Sequence, residues 1–89
     1  MIVREFTVLN KVGLHARPAA VFVATARKFK SDIVVEKGRK RASARSILGL
    51  LTLGAGHGAV VAITIEGEDE QEAMKALAEL VANKFGDEE

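Results

Sequence analysis

Two segments of the chain carry apolar residues at helical spacing on one side only. Between residues 16 and 29 the apolar positions recur three and four residues apart, at Ala19, Phe22, Val23, Ala26 and Phe29. After residue 69 the same spacing recurs at Ala73, Leu77, Leu80 and Val81. A helix with one apolar stripe must bury that stripe against another layer. The two segments therefore predict a two-layer domain in which helices cover one face of a sheet.

Three other segments predict the strands of that sheet. IVREFTVL, residues 2–9, alternates apolar and other side chains with a gap at Arg4. Residues 31–44 contain two extended stretches broken at Lys37 and Gly38, which is typical of a hairpin with a charged edge strand. Residues 59–66 are apolar enough on both faces to form an interior strand. We expect four antiparallel strands.

Capping signals predict where the helices begin and end. Ser46 is a good N-cap for a short helix over residues 47–53, and glycines follow it. Asp69 and Glu72 have the spacing of a capping box, and Gly86 is expected to close the last helix. The order strand, helix, strand, strand, short helix, strand, helix predicts an α+β fold. In it, a four-stranded antiparallel sheet carries three helices on one face.

Length and composition limit the class of protein. The chain of 89 residues predicts one domain over residues 1–89, with residues 86–89 as a frayed tail. Its net charge of +1 indicates no particular partner, and the absence of cysteine excludes disulfides and thiolate chemistry. The N-terminal segment has no apolar run typical of a signal peptide or membrane span, so we expect a cytoplasmic protein without membrane insertion.

The segment GLHARPAA, residues 13–20, places His15, Arg17 and Pro18 where the first helix is predicted to begin. Proline suits a first turn, because its missing N–H would have no intrahelical partner there. Unpaired N–H groups at a helix start attract anions, and Arg17 adds a fixed cation. A neutral imidazole is a nucleophile, so this arrangement suits the transfer of a phosphoryl group through His15. The alternative is that His15 only caps the helix and Arg17 is solvated.

GLHARPAA and the later segment SILGLLTLGAGHG together resemble the HPr family, the histidine-containing phosphocarriers of the bacterial phosphoenolpyruvate-dependent sugar phosphotransferase system. The likeness spans nearly the whole chain and implies an open-faced sandwich. It implies that His15 accepts a phosphoryl group on Nδ1 from Enzyme I and passes it to the IIA domains of sugar permeases. Arg17 then contacts the phosphoryl group, and Ala16 contributes a backbone N–H. Such a protein is a stoichiometric, monomeric carrier rather than an enzyme, and it needs no cofactor or metal.

The same resemblance adds expectations for the second motif. In many relatives the serine matching Ser46 is phosphorylated by HPr kinase/phosphorylase, which regulates carbon catabolite repression. Residues matching Ile47, Leu48 and Leu51 dock partner proteins in the family. Relatives that bind a catabolite control regulator commonly have methionine at the position of Leu48. The chain departs from these relatives there, so the resemblance gives weaker support for this partner. On pattern alone, Ser46 is a structural cap, and Ile47 and Leu51 fit an ordinary core equally well.

The sequence allows two alternatives to a phosphocarrier function. The run KGRKRASAR contains the cations Lys37, Arg39, Lys40, Arg41 and Arg45 with no acid among them, as in small nucleic-acid-binding modules. However, the run has no aromatic residue, and the chain has four Phe but no Tyr or Trp, which leaves little for base stacking. We therefore expect no nucleic-acid partner. A regulatory HPr-like protein acting only through protein contacts is the second alternative, and the presence of His15 argues against it.

Overall fold

The computed structural model describes residues 1–87 and contains one antiparallel sheet covered by helices. Its elements in chain order are β1 (Ile2–Thr7), α1 (Ala16–Ala26), β2 (Asp32–Lys37), β3 (Lys40–Ser43), α2 (Ile47–Thr52), β4 (Val60–Glu66), α3 (Glu70–Ala82) and a 3₁₀ helix (Lys84–Gly86). The four strands lie in the order β1-β4-β2-β3, with every neighbouring pair antiparallel. The predicted open-faced α+β sandwich with three helices on one face is confirmed.

The central strand β4 determines which face of the sheet is buried. Val61, Ile63 and Ile65 are buried, whereas Ala62 and Thr64 between them are only half-buried. The strand register aligns the inward positions of β1 with all three residues and those of β2 with Ile63 and Ile65. Because side chains alternate along a strand, the helices cover one face and the other face remains open. The prediction of β4 as an interior strand is confirmed.

Arg4 explains the gap in the apolar pattern of β1. It pairs with Ile63 in the register, so it occupies an inward position of an edge strand. Its guanidinium carbon lies 5.1 Å from the centre of the Phe6 ring, within the range of a cation–π contact. A charged residue at this position also makes the free edge of β1 a poorer template for pairing with another strand.

Both long helices end earlier than the sequence predicts. α1 ends at Ala26, and Phe29 follows it as a half-buried residue of the next turn. α3 ends at Ala82, and Gly86 closes the following 3₁₀ helix instead. Phe85 within that 3₁₀ helix is buried although its φ is 56°. The burial of this ring offsets a backbone conformation that residues other than glycine rarely adopt.

The predicted capping box at the start of α3 is wrong. Asp69 is the N-cap residue, but its side chain does not cap the helix. Its carboxylate instead accepts hydrogen bonds from the backbone N–H groups of Lys30 at 2.8 Å and Ser31 at 2.9 Å, and from the Ser31 hydroxyl. This carboxylate therefore ties the turn after α1 to the start of α3, and the tertiary contact replaces the local one.

These contacts predict a pH dependence of stability. The pKa of the Asp69 carboxyl is lowered from its ordinary value of 3.8 in the folded protein. The largest cause is the hydrogen bond from the Ser31 hydroxyl, and the next is the hydrogen bond from the Lys30 N–H. A depressed carboxyl pKa stabilises the fold above the unfolded value and loses that contribution as the pH falls through the folded value. We expect the urea midpoint of the wild type to fall more steeply than that of Asp69→Asn between about pH 5 and pH 2.

A matched control is Glu68→Gln. This exposed carboxylate lies 3.3 Å from Lys30 Nζ, so its removal should leave the steep acid dependence in place. Parallel profiles for the wild type and Asp69→Asn would contradict the assignment.

Candidate functional site

His15 stands at the start of α1, on the helical side of the sandwich. It is the N-cap residue with an extended backbone (φ −91°, ψ −169°), and its side chain makes no capping hydrogen bond. The first intrahelical bond runs from Ala19 N–H to His15 C=O at 2.9 Å. The N–H groups of Ala16 and Arg17 thus precede the helical ladder, and Pro18 has none. The His15 side chain is 44% exposed, so the ring and these two donors share an open surface.

The loop before His15 is fixed by close packing against the loop after α2. Leu14 N–H donates to Ala55 C=O at 2.8 Å. Gly13 has φ +71°, and a Cβ there would lie 2.5 Å from the Ala55 oxygen and from Gly56 Cα. The Asn10 amide donates to Gly13 C=O at 2.6 Å and fastens the loop from its other side. These contacts determine where α1 begins and therefore where His15 lies.

A carboxylate from the far end of the chain completes the surroundings of His15. Asp87 forms an ion pair with the Arg17 guanidinium, and its Oδ2 accepts a hydrogen bond from Asn10 Nδ2 at 2.9 Å. The same Oδ2 lies 3.8 Å from His15 Nε2. The side chain of Asp87 is 7% exposed, whereas that of Arg17 is 57% exposed. We call His15, Arg17, Asn10 and Asp87 the His15 cluster.

The C-terminal turn explains how Asp87 reaches this cluster. The Phe85 ring packs near Phe22 of α1, with ring centres 6.4 Å apart and planes at 56°. Asp87 N–H then donates to Lys84 C=O at 2.9 Å. The sequence pattern predicted a frayed tail from residue 86, but Gly86 and Asp87 are held by these contacts, and residues 88 and 89 lie outside the described residues. His15 and Asp87 are about seventy residues apart. Hydrophobic periodicity reports only on neighbouring residues, so it could not predict that Asp87 lies at this site.

α2 carries the second motif. Ser46 is its N-cap, as predicted, and the hydroxyl accepts a hydrogen bond from Gly49 N–H at 2.9 Å. Leu50 is buried, whereas Ile47, Leu48 and Leu51 are 41%, 73% and 37% exposed. These three residues, which we call the α2 patch, therefore lie outside the core. Their exposure removes the core interpretation that the sequence left open.

The basic run does not form a free cationic surface throughout. The Arg45 guanidinium donates to Phe29 C=O at 3.0 Å and thus serves the turn after α1. Lys40 Nζ donates to Thr52 C=O at 3.4 Å. His57, from the second motif, is an exposed loop residue whose Nδ1 lies 3.3 Å from the Asn10 carbonyl oxygen. The contacts of Arg45, Lys40 and His57 therefore give each of these side chains a role in the local structure.

Residues 1–87 contain no group of three His, Cys, Asp or Glu side chains placed to hold a metal ion. The helices within this range are also too short or too polar to cross a bilayer.

An exposed imidazole beside helix N–H groups and a guanidinium is an arrangement that favours an anion at the surface. A family model described as the PTS HPr component phosphorylation site matches residues 2–83. The phosphocarrier protein HPr of Cupriavidus necator is 43% identical over 87 residues, which are 98% of each chain. The match and this relative place the chain in the phosphocarrier class.

Solved structures agree with that placement. A crystal structure of HPr from Thermoanaerobacter tengcongensis covers 100% of both chains with 52% identity and a TM-score of 0.95. A crystal structure of Crh from Bacillus subtilis, a dimer with a swapping domain, covers 94% of this chain and 97% of its own at 44% identity, with a TM-score of 0.75. The chain belongs to the HPr family.

The packing at Gly13 predicts a selective effect of one methyl group. Gly13→Ala should cost about 1–2 kcal/mol for its left-handed backbone and a further ~1–3 kcal/mol for the clash with Ala55 and Gly56. Gly54→Ala is the matched control, because Gly54 has φ +65° but open space around its Cβ position. It should show the backbone cost alone in urea denaturation.

The same pair of variants reports on His15. The ring resonances of His15 should move in Gly13→Ala and remain in place in Gly54→Ala. Equal losses of stability in the two variants, with unmoved ring resonances, would contradict this role of Gly13.

Proposed function

We propose that the chain is a phosphocarrier in which His15 accepts a phosphoryl group from Enzyme I and passes it to the IIA domains of sugar permeases. The observation that carries this proposal is the exposed His15 ring at the N-terminus of α1, with Arg17 beside it. Membership of the HPr family supports the choice of donor and acceptor.

The transfer follows from the groups at the helix start. The Nδ1 lone pair of His15 attacks phosphorus in line as the donor's P–N bond breaks, and the phosphoryl oxygens then meet the N–H groups of Ala16 and Arg17. The Arg17 guanidinium and the helix field stabilise the negative charge that arrives. Passing the group on reverses these steps with a new acceptor nitrogen. Alignment and charge stabilisation supply most of what such a transfer requires.

An open site suits a carrier better than a cavity does. The ring must meet a donor and later a different acceptor, so each partner supplies the remaining half of the site. The carrier is therefore stoichiometric and not an enzyme. We propose that it acts as a monomer in which His15 is accessible. We assign it to the cytoplasm, where the cysteine-free sequence suits the reducing conditions.

The α2 patch is the proposed docking surface for Enzyme I and the IIA domains. Its three side chains, Ile47, Leu48 and Leu51, are exposed on a helix that packs against α1. Exposed apolar residues that cluster on a surface are typical of protein–protein contact sites. A catabolite control regulator would use the same surface, with Leu48 in place of the methionine that is common in its partners.

Phosphate transfer to the chain gives the direct test. Incubation with phosphoenolpyruvate and Enzyme I should add one acid-labile phosphoryl group to the wild type, as measured by intact mass before and after acid treatment. His57→Ala should accept it equally, and His15→Ala should accept none. An acid-stable adduct, or an adduct retained by His15→Ala, would overturn the proposal.

The regulatory alternative makes the opposite prediction in this assay. Its support is the likeness to Crh of Bacillus subtilis, an HPr-like protein. A regulator acting only through protein contacts would gain no phosphoryl group at His15, even with active Enzyme I.

Ser46 is the proposed site of regulation by HPr kinase/phosphorylase. A phosphate there would occupy the N-cap position of α2, where it is compatible with the fold, and would place negative charge next to the α2 patch. Partners with an acidic docking face would then be repelled. The hydroxyl thus has two roles that do not conflict, a cap in the free form and a switch when modified.

Substitution at Ser46 separates the two roles. Ser46→Asp should slow phosphoryl acceptance from Enzyme I at least about threefold, because the charge hinders docking. Ser46→Asn keeps a capping oxygen without the charge and should react at the wild-type rate. Initial rates at limiting Enzyme I measure the difference. A Ser46→Asp variant as fast as the wild type would rule out this form of regulation.

A further inference from the structure

We propose that Asp87 is a positioning residue for His15. Its carboxylate favours the tautomer with the proton on Nε2, which leaves the Nδ1 lone pair free, and it holds Arg17 next to the ring. The contribution to transfer rests on the proposed function, whereas the tautomer assignment concerns the free protein alone.

The Asp87 carboxylate lies close to Nε2 of His15. Asp87 Oδ2 lies 3.8 Å from His15 Nε2, which is too long for a hydrogen bond but close enough for a charge–dipole contact. A negative charge at this distance stabilises an N–H on the nitrogen that it faces and disfavours a lone pair there. Because the Asp87 side chain is almost fully buried, water screens this charge only weakly.

Asn10 and Phe85 hold the Asp87 carboxylate in this position. Asn10 is fully buried and donates from Nδ2 both to Asp87 Oδ2 and to Gly13 C=O. The same amide therefore joins the loop before His15 to the C-terminal turn. Phe85 adds packing against α1, so Asp87 is held at the site by a buried hydrogen bond and a buried ring.

Asp87 also holds the Arg17 side chain. Its side chain is 57% exposed and would otherwise sample many rotamers, but the ion pair with Asp87 restricts it to the side of the cluster where His15 lies. Holding a long cation in place before the reaction reduces the entropy lost when it later contacts a phosphoryl group. Asp87 therefore prepares both groups that the proposed transfer requires.

The charge balance of the transfer gives Asp87 a further effect. When Nδ1 attacks phosphorus, the new N–P bond forms as the donor's P–N bond breaks, and the proton stays on Nε2. The phosphorylated ring then carries a positive charge, which the Asp87 carboxylate faces and stabilises. The phosphoryl oxygens compete with Asp87 for Arg17, so the guanidinium can turn towards them without leaving the cluster.

The test measures the tautomer in the free protein. The ¹⁵N shifts of the two ring nitrogens of His15, recorded in alkaline solution where imidazole is neutral, give the ratio of Nε2–H to Nδ1–H forms. We expect the Nε2–H form to dominate in the wild type, and the ratio to fall about threefold or more in Asp87→Asn. Asp87→Glu, which keeps the charge, should recover part of the ratio. Asp32→Asn, an exposed carboxylate on β2, should leave the ratio unchanged.

Rates complete the experiment. Phosphoryl acceptance from Enzyme I should fall about threefold to tenfold in Asp87→Asn and stay at the wild-type rate in Asp32→Asn. A tautomer ratio unchanged in Asp87→Asn would overturn the proposal, whatever the rates are. If no variant accepts phosphate while the ratio still shifts, the proposed function fails and the positioning of His15 by Asp87 stands.

Discussion

The close approach of Gly13 to the backbone of Ala55 is the contact on which the position of His15 depends. Glycine alone allows this approach, because any Cβ would meet the carbonyl oxygen at 2.5 Å. The hydrogen bond from Leu14 to Ala55 and the buried amide of Asn10 hold the loop on both sides of that contact. α1 therefore begins at a position set by tertiary packing, with its first N–H groups and the imidazole facing the same open surface.

That placement links the fold to the chemistry. The one-sided apolar stripes bury the helices against the sheet and leave the N-terminus of α1 at the surface, where a helix field and Arg17 favour an anion. A carrier of this kind stabilises the phosphoryl group enough to hold it and leaves it accessible enough to lose it. The role that we propose for Asp87 fits the same balance, since its carboxylate contacts Arg17 and lies 3.8 Å from His15 Nε2.

Local sequence patterns predicted the helices and strands. Contacts between residues distant in the sequence determined the surroundings of Asp69 and Asp87. Period-two and helical spacing placed β1, β4, α1 and α3, and the hydroxyl of Ser46 caps α2 as its position indicated. Sequence spacing predicts a local capping box for Asp69, but its carboxylate accepts hydrogen bonds from the turn at Lys30 and Ser31, thirty-eight residues or more away. Asp87 was overlooked for the same reason: an acidic residue in a short polar tail gives no local signal until Phe85 packs against α1. The role proposed for His15 comes from the resemblance to the HPr family, because residue spacing alone left it open.

The proposed function requires that Nδ1 of His15 carry the phosphoryl group. Phosphorus and ¹⁵N NMR of the protein, labelled with ¹⁵N and phosphorylated by Enzyme I, test it most directly through the coupling between phosphorus and the ring nitrogen to which it is bound. We expect a single phosphorus signal coupled to Nδ1 of His15, with the proton on Nε2. A phosphorus signal coupled to Nε2, or one on a residue other than His15, would contradict it.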